Sequence, residues 1–299
     1  VDVFCREESI DAGEPIAGSA AAHTDVWVVL EYDRPWGKKA VPESSLPETA
    51  KEHLMRWEKE IPGARVQLVR GDPRVSRPGR VAFFLGSSSM QGSKMVRFNL
   101  ETHEAVTELD VPSLVQDVRA GKDIPDAEVV TEPLVLVCTN GRRDACCAKW
   151  GLPIYTALAQ IEGIDCWQTT HLGGHRFAPT LLTLPDGLCY GRLVVEDAEP
   201  LVEAILAGEV YAADRTLRGR TCLSAAAQAA EAHWRGKTGE VKVAALEAAT
   251  DEERDGGTVV TLTAGGEEHR VTMQHRVLGP SKRPSCAKDP APVAGWFPA

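Results

Sequence analysis

The same succession of elements is spelled out twice along this chain, and that doubling limits the folds open to it more than any other feature. In the first half, VWVVLEY, ending at Tyr32, is a β-branched apolar run suited to a buried strand. PETAKEHLMRWEKEIPG follows, with Leu54, Met55, Trp57 and Ile61 on a helical stripe and Pro62-Gly63 as the stop. ARVQLVRG reads as a strand, RVAFFLGS and KMVRFNLE as an antiparallel pair, and VPSLVQDVRAGKD as a closing helix that ends at Gly121. The second half repeats this order. LVLVC (134–138) is a strand, and AKWGLPIYTALAQIEG is a helix whose start Gly151 and Pro153 are expected to delay or kink. DCWQTTH is a strand, TLLTLPDGLCYGRL a hairpin turning at Asp186-Gly187, and EPLVEAILAGE the closing helix. The two closing helices share a pattern, SLVQDVRAGK (113–122) against PLVEAILAGE (200–209).

Strand-helix-strand followed by strand-strand-helix is the order of a thioredoxin-like unit, a central sheet covered by helices. The expected fold is therefore α/β: a tandem of thioredoxin-like units over 1–125 and 126–212, then a small α+β appendage over 213–299. In that last part CLSAAAQAAEAHWRGKTG is a helix with an Ala-rich face. VKVAALEAATD, GTVVTLTAG and EEHRVTMQHRVLG form a three-stranded meander, and SKRPSCAKDPAPVAGWFPA is a Pro-rich tail. The Ala178–Pro179 bond is a candidate for a cis peptide before the third strand of the second unit; a trans proline opening that strand reads equally well.

Composition narrows the function classes. The 299 residues are 43% hydrophobic and 25% charged, typical of a globular protein. No run approaches the roughly 20 apolar residues of a membrane span. A net charge of −10 and the lack of any dense Lys/Arg run speak against nucleic acid and against a basic membrane-surface helix. VDVFCREESIDAGEP has no basic stretch followed by an apolar one, so a cytoplasmic protein is expected.

Of eight cysteines, Cys138, Cys146, Cys147, Cys166 and Cys189 fall in one region, which points to metal or redox chemistry more than to structural disulfides. Cys138 ends a strand and Cys147 stands at the start of the next helix, giving Cys138-x8-Cys147. In HLGGHRFAPT, His171 and His175 flank Gly173-Gly174, which makes this a loop rather than a helix. In a parallel βαβ unit both segments leave the carboxyl end of the sheet, so topology alone brings the four side chains together. Two thiolates and two imidazoles suit a tetrahedral zinc. They also suit a [2Fe-2S] cluster with two cysteines on one iron and two histidines on the other. The long first gap and the flexible histidine loop favour the bulkier cluster, although the C-x-H motifs of Rieske centres are absent. Inert buried thiols beside an ordinary polar loop are the plainer alternative. Cys166 and Cys189 read as core, Cys5, Cys222 and Cys286 as incidental, and His269 and His275 as one solvated strand face.

VCTNGRRDACCAKWG, HLGGHRFAPTLLTLPDG and the earlier VWVVLEYDRPWGKKA resemble the sucrase/ferredoxin-like family, over most of the chain from about Asp25 to the C-terminal tail. Its members are similar to thioredoxin-like [2Fe-2S] ferredoxins in which HxxxH replaces the second cysteine pair. The resemblance implies one [2Fe-2S] cluster on Cys138, Cys147, His171 and His175. RRDACC carries two adjacent cysteines where family versions have one, and the spacing from Cys138 selects Cys147 over Cys146.

The function this implies is proton-coupled one-electron transfer, by a carrier more than an enzyme, with a reductase or acceptor protein as partner. Gly173 and Gly174 would allow positive φ and a close backbone approach to the cluster. Arg142, Arg143 and Arg176 would stabilise the more negative reduced state or form a docking patch. Trp150 and Trp167 would shield the site or, more simply, pack in the core. DRPWGKK stands in the first half where CTNGRRDACC stands in the second, so the first unit is degenerate and structural, and a monomer with an internal pseudo-dimer is expected. The competing readings are a zinc-stabilised Cys2His2 binding module without redox activity, and a thiol oxidoreductase using Cys146, Cys147 or Cys166. The latter lacks the usual C-x-x-C. No phosphate-binding G-x-x-x-x-G-K-[ST] is present, nor a convincing pair of glycosidase carboxylates.

Overall fold

A short helix, α1 (Cys5–Asp11), precedes the first strand, β1 (Val26–Glu31), which is buried along almost its whole length. The computed structural model describes residues 3–71 and 79–299. Helix α2 (Glu48–Glu60) lays Ala50, Leu54 and Trp57 against the sheet, with Ile61 just beyond its end. Met55, expected on this stripe, lies on the outer face at 38% exposure, because the buried positions follow 50, 54, 57 and 61. Strands β2 (Ala64–Arg70), β3 (Val81–Ser87) and β4 (Lys94–Leu100) follow. Helix α3 (Val111–Arg119) is capped by Asp110, whose carboxylate accepts the Ser113 N–H at 3.4 Å. A two-residue strand, β5 (Glu128–Val129), pairs with β4 at the sheet edge.

The second half then runs β6 (Leu134–Cys138), α4 (Ala145–Leu158), β7 (Asp165–Thr169), β8 (Thr180–Leu184), β9 (Leu188–Gly191) and α5 (Ala198–Leu206). Gly151 and Pro153 do not delay α4, which starts at Ala145. Asp144 caps it by accepting the Cys146 N–H at 2.9 Å. Gly151 instead serves packing: a Cβ there would collide with the Cys138 carbonyl oxygen, so the missing side chain lets α4 cross close over the end of β6. Both Ala178–Pro179 and Leu184–Pro185 are cis.

The two halves share one ten-stranded sheet, ordered β10-β9-β8-β6-β7-β2-β1-β3-β4-β5, where β10 is Leu217–Arg220. In each half the first strand lies parallel to the second and antiparallel to the third, and the third and fourth form an antiparallel hairpin. This is the thioredoxin-like order expected, twice over. The equivalent strands β2 and β7 meet antiparallel over only two residue pairs, Val69 with Thr169 and Arg70 with Gln168. Their carboxyl ends therefore converge at the seam, and the two halves relate by an approximate two-fold axis through it. Each half has its own core under its helices, built around Leu54, Trp57 and Phe83 in the first and Ile154, Leu158 and Tyr190 in the second. A third cluster, including Trp27, Phe84, Leu136, Trp167 and Leu182, crosses the seam. There Phe84 and Trp167 meet edge to face at 5.9 Å. Fully burying an aromatic ring of this kind contributes about 1.5–3 kcal/mol, so the seam depends more on packing than on its short ladder.

Beyond α5 the chain returns to the large sheet. β10 pairs antiparallel with β9, a strand that four residues reading LRGR did not announce. Helix α6 (Ala225–Thr238) starts at the Ser224 cap and ends at Gly239, where φ is 73°. Strands β11 (Leu246–Arg254), β12 (Gly257–Ala264), β13 (Glu267–Lys282) and β14 (Ala291–Pro298) form a second sheet. It has four strands rather than the three expected, since the Pro-rich tail supplies β14, which pairs with β13. Prolines at 292 and 298 sit near the ends of this edge strand, where a missing N–H is tolerated. Among the described residues no helix is long and apolar enough to cross a membrane.

Candidate metal centre

Two segments meet at the carboxyl ends of β6 and β7. β6 delivers Cys138, and the turn after it, closed by the Asp144 cap, places Cys147 in the first turn of α4. β7 ends at Thr169 and leads into the loop with His171, Gly173 and Gly174. Their φ values of 92° and 66° are left-handed, as two successive glycines permit. A single 3-10 turn, His175–Phe177, then carries the second histidine into the cis Ala178–Pro179 bond and β8.

His171 Nδ1 lies 3.8 Å from Cys147 Sγ and 4.0 Å from Cys138 Sγ, and the donor atoms of these three residues all lie within 4.8 Å of one another. His175 stacks on His171 with ring centroids 4.4 Å apart and planes 21° from parallel. It lies outside the compact three-residue group. The two thiols are buried and the two imidazoles half-buried. Cys146, one residue before Cys147, faces away: its Sγ lies 3.4 Å from Cys5 Sγ and 3.3 Å from Cys286 Sγ. The adjacent cysteines thus serve two different clusters.

The electrostatics favour a bound cation. A hydrogen bond from Cys147 holds Cys138 well below the usual thiol range, while that same bond and burial push Cys147 up. The two sulfurs thus face each other through a hydrogen bond that a cation could replace. Burial lowers the pKa of His175 to about 4, with His171 adding to the effect, so the ring is neutral and its nitrogen lone pair available at neutral pH. His175 Nδ1 is buried without a hydrogen-bond partner among the described residues. Leaving such an atom unpaired costs about 1–3 kcal/mol, a cost that a coordinating metal removes. Two soft sulfurs and two imidazoles thus fit either zinc or a Cys2His2 iron–sulfur cluster.

The loop is braced by residues the sequence did not single out. Arg65 of β2 donates from Nη2 to the His171 carbonyl at 3.1 Å, and Arg218 of β10 donates from Nη1 to the Gly173 carbonyl at 3.0 Å. Arg218 is only 1% exposed and also holds Ser19 and Cys189 Sγ. Gly174 is needed for room as well as conformation, since a Cβ there would stand 2.5 Å from Arg218 Nη2. From the first half, Gln67 accepts the Thr170 hydroxyl at 2.8 Å, and the Gly37 carbonyl accepts Asn140 Nδ2–H at 3.2 Å. The DRPWGKK segment therefore abuts the cysteine loop rather than duplicating it.

The other singled-out residues separate clearly. Arg176 pairs with the buried Glu14 at 2.7 Å, Arg142 is exposed and Arg143 half-buried. Trp167 packs in the seam core, whereas the half-buried Trp150 stands edge to face against Phe4 at 5.1 Å. Cys166 and Cys189 are core residues, and Cys222 is half-buried. Cys5 and Cys286, expected to be incidental, instead join Cys146.

Two thioredoxin-order halves on one sheet, with thiols and imidazoles gathered at the carboxyl edge of the second, define an α/β protein with a Cys/His candidate metal centre. The chain belongs to the sucrase/ferredoxin-like family, whose model matches residues 16–219. A curated relative, Altered inheritance of mitochondria protein 32 from Meyerozyma guilliermondii, is 28% identical over 96 residues. That match covers 29% of this chain, and the chain spans about a third (34%) of the relative's length. A solved thioredoxin-like [2Fe-2S] ferredoxin from Aquifex aeolicus is similar at 21% identity, over 26% of this chain and 84% of that one, with a TM-score of 0.24.

Proposed function

We propose that this chain is an electron-transfer protein that holds one [2Fe-2S] cluster on Cys138, Cys147, His171 and His175 and exchanges electrons with a partner protein. The observation that carries this reading is the gathering of donors: two buried thiols 3.8 and 4.0 Å from His171 Nδ1, and a second imidazole stacked on the first whose Nδ1 is buried without a partner among the described residues. A zinc-stabilised module on the same residues is the rival. One tetrahedral ion draws all four donors to within about 4 Å of each other. Cys138, Cys147 and His171 already stand near that spacing while His175 lies outside their group, so metal content is what separates the two readings. When bound, the cluster supplies one-electron redox chemistry. Neutral imidazoles in place of two thiolates make it less anionic, so its potential should lie above the roughly −400 mV of all-cysteine plant-type clusters.

Purification without air, followed by a visible spectrum and metal analysis, tests this directly. A red-brown protein with about two irons per chain is expected. A colourless protein holding zinc at the Cys138 site overturns the reading.

The histidines add a pH signature. Were the two half-buried rings to hold the cluster through Nδ1, Nε2 of each would be left to exchange a proton. An added electron raises the proton affinity of Nε2. Between the ring's oxidised-state and reduced-state pKa values reduction would then take up one proton, and the potential is expected to fall by about 59 mV per pH unit as pH rises. It levels off below the first value and above the second. Protein-film voltammetry checks this, and a potential constant from about pH 5 to 10 would rule out solvent-reachable histidine ligands.

A further inference from the structure

A second group of metal-ligating side chains lies on the other side of the start of α4. Cys5 of α1, Cys146 of α4 and Cys286, in the connection from β13 to β14, bring their sulfurs into a triangle with edges of 3.4, 3.3 and 3.5 Å. Asp144 completes the group, with Oδ1 3.9 Å from Cys5 Sγ and all four donor atoms within 4.8 Å of one another. Cys5, Cys146 and Asp144 are buried and Cys286 is half-buried. The carboxylate is fixed by three donors: Cys146 N–H on Oδ1 at 2.9 Å, and the Ser285 hydroxyl at 2.8 Å and Cys286 N–H at 2.9 Å on Oδ2. Cys5 and Cys286 both lie outside the stretch that matches the family, so this group joins the two ends of the chain to its middle.

We propose that Cys5, Cys146, Cys286 and Asp144 bind one zinc ion, a structural clamp distinct from the redox centre. Sulfurs bound to a tetrahedral zinc with bonds of about 2.3 Å stand about 3.8 Å apart, so the triangle needs to open by only a few tenths of an ångström. Three thiolates select a soft or borderline metal, and a carboxylate as fourth donor suits zinc better than copper(I). The Asp144 carboxylate, already held by its capping and loop hydrogen bonds, places Oδ1 beside the sulfur triangle, where it can serve as a fourth donor. Binding displaces the thiol protons to solvent, leaving three thiolates and one carboxylate around the ion. Because Cys146 and Cys147 are consecutive, the clamp fixes the same helix turn that presents Cys147 to the redox site. This assignment does not depend on what the Cys138 site holds.

The test is elemental analysis of the full-length chain from zinc-supplemented medium, with iron and visible absorbance measured on the same samples. About one zinc per chain is expected in the clamp. C5S and C286S should each lose it and keep the colour due to the other site, whereas C138S should lose colour and keep the zinc. If the Cys138 site holds zinc instead, C138S and C5S each lose one of two ions, so the two assignments fail separately. Zinc retained in both C5S and C286S, a zinc-free wild type, or a disulfide among the three cysteines in the alkylated, unreduced protein would each overturn the clamp.

Discussion

Serine in place of Cys138 is expected to leave the protein colourless and to cut its iron from about two atoms per chain to less than about a tenth of that. Cys138 is fully buried at the end of β6, and its backbone carbonyl rests against Gly151 of α4. Serine is slightly smaller and fits the same space, so the sheet and helix should persist, as circular dichroism would report. What disappears is a sulfur that hydrogen bonding already holds toward the thiolate form. A serine hydroxyl is a hard, weakly acidic oxygen donor and a poor substitute for a soft thiolate on a two-iron centre. His171→Ala should have the same effect, since that ring contacts both sulfurs. C146S should keep the colour, because Cys146 faces the other cluster. Full iron and absorbance in C138S would refute the ligand assignment.

The second large effect concerns stability. Glu231 of α6 is completely buried, with one oxygen shared between Arg220 of β10 and Arg235 of its own helix, both at 3.0 Å. Alanine at 231 leaves two buried guanidinium groups without their counter-ion, which should cost about 3–5 kcal/mol. Urea denaturation would show this as a lower midpoint with an unchanged slope, and a loss below about 1 kcal/mol would contradict the pairing. Burial alone would raise the Glu231 pKa, but the two arginines outweigh it and hold the carboxyl below its ordinary range. A depressed carboxylate stabilises the fold at neutral pH, and that stability goes as pH falls through the depressed value. Acid should therefore weaken the wild type toward the level of the alanine variant.

Much of the fold could be read from the chain because strands and helices repeat their hydrophobic periods in the same order twice. β1, α2, β6 and β8 each show either a continuous apolar run or a helical stripe, and they lie where those patterns put them. α1, β10 and β14 escaped for physical reasons. α1 is a polar seven-residue helix held by tertiary contacts, and β10 buries two arginines in ion pairs and carbonyl contacts that no hydropathy pattern reveals. β14 hides behind its prolines, with only Val293 and Gly295 fully buried. At the candidate site, the convergence of Cys138, Cys147 and the two histidines on one sheet edge was legible because consecutive loops of a parallel βαβ unit must leave the same edge. Arg65, Arg218, Cys5 and Cys286 were not, since they reach their neighbours from more than forty residues away and no local spacing encodes that approach.

The narrow seam between β2 and β7 has one further consequence. Two identical subunits meeting about a two-fold axis must present every side chain twice, so a brace and the group it braces cannot trade places. Joined as one polypeptide, the halves are released from that obligation. One can dispense with reactive side chains and contribute Arg65, Gln67 and the Gly37 carbonyl as a fixed wall, while the other keeps its histidine loop free to specialise.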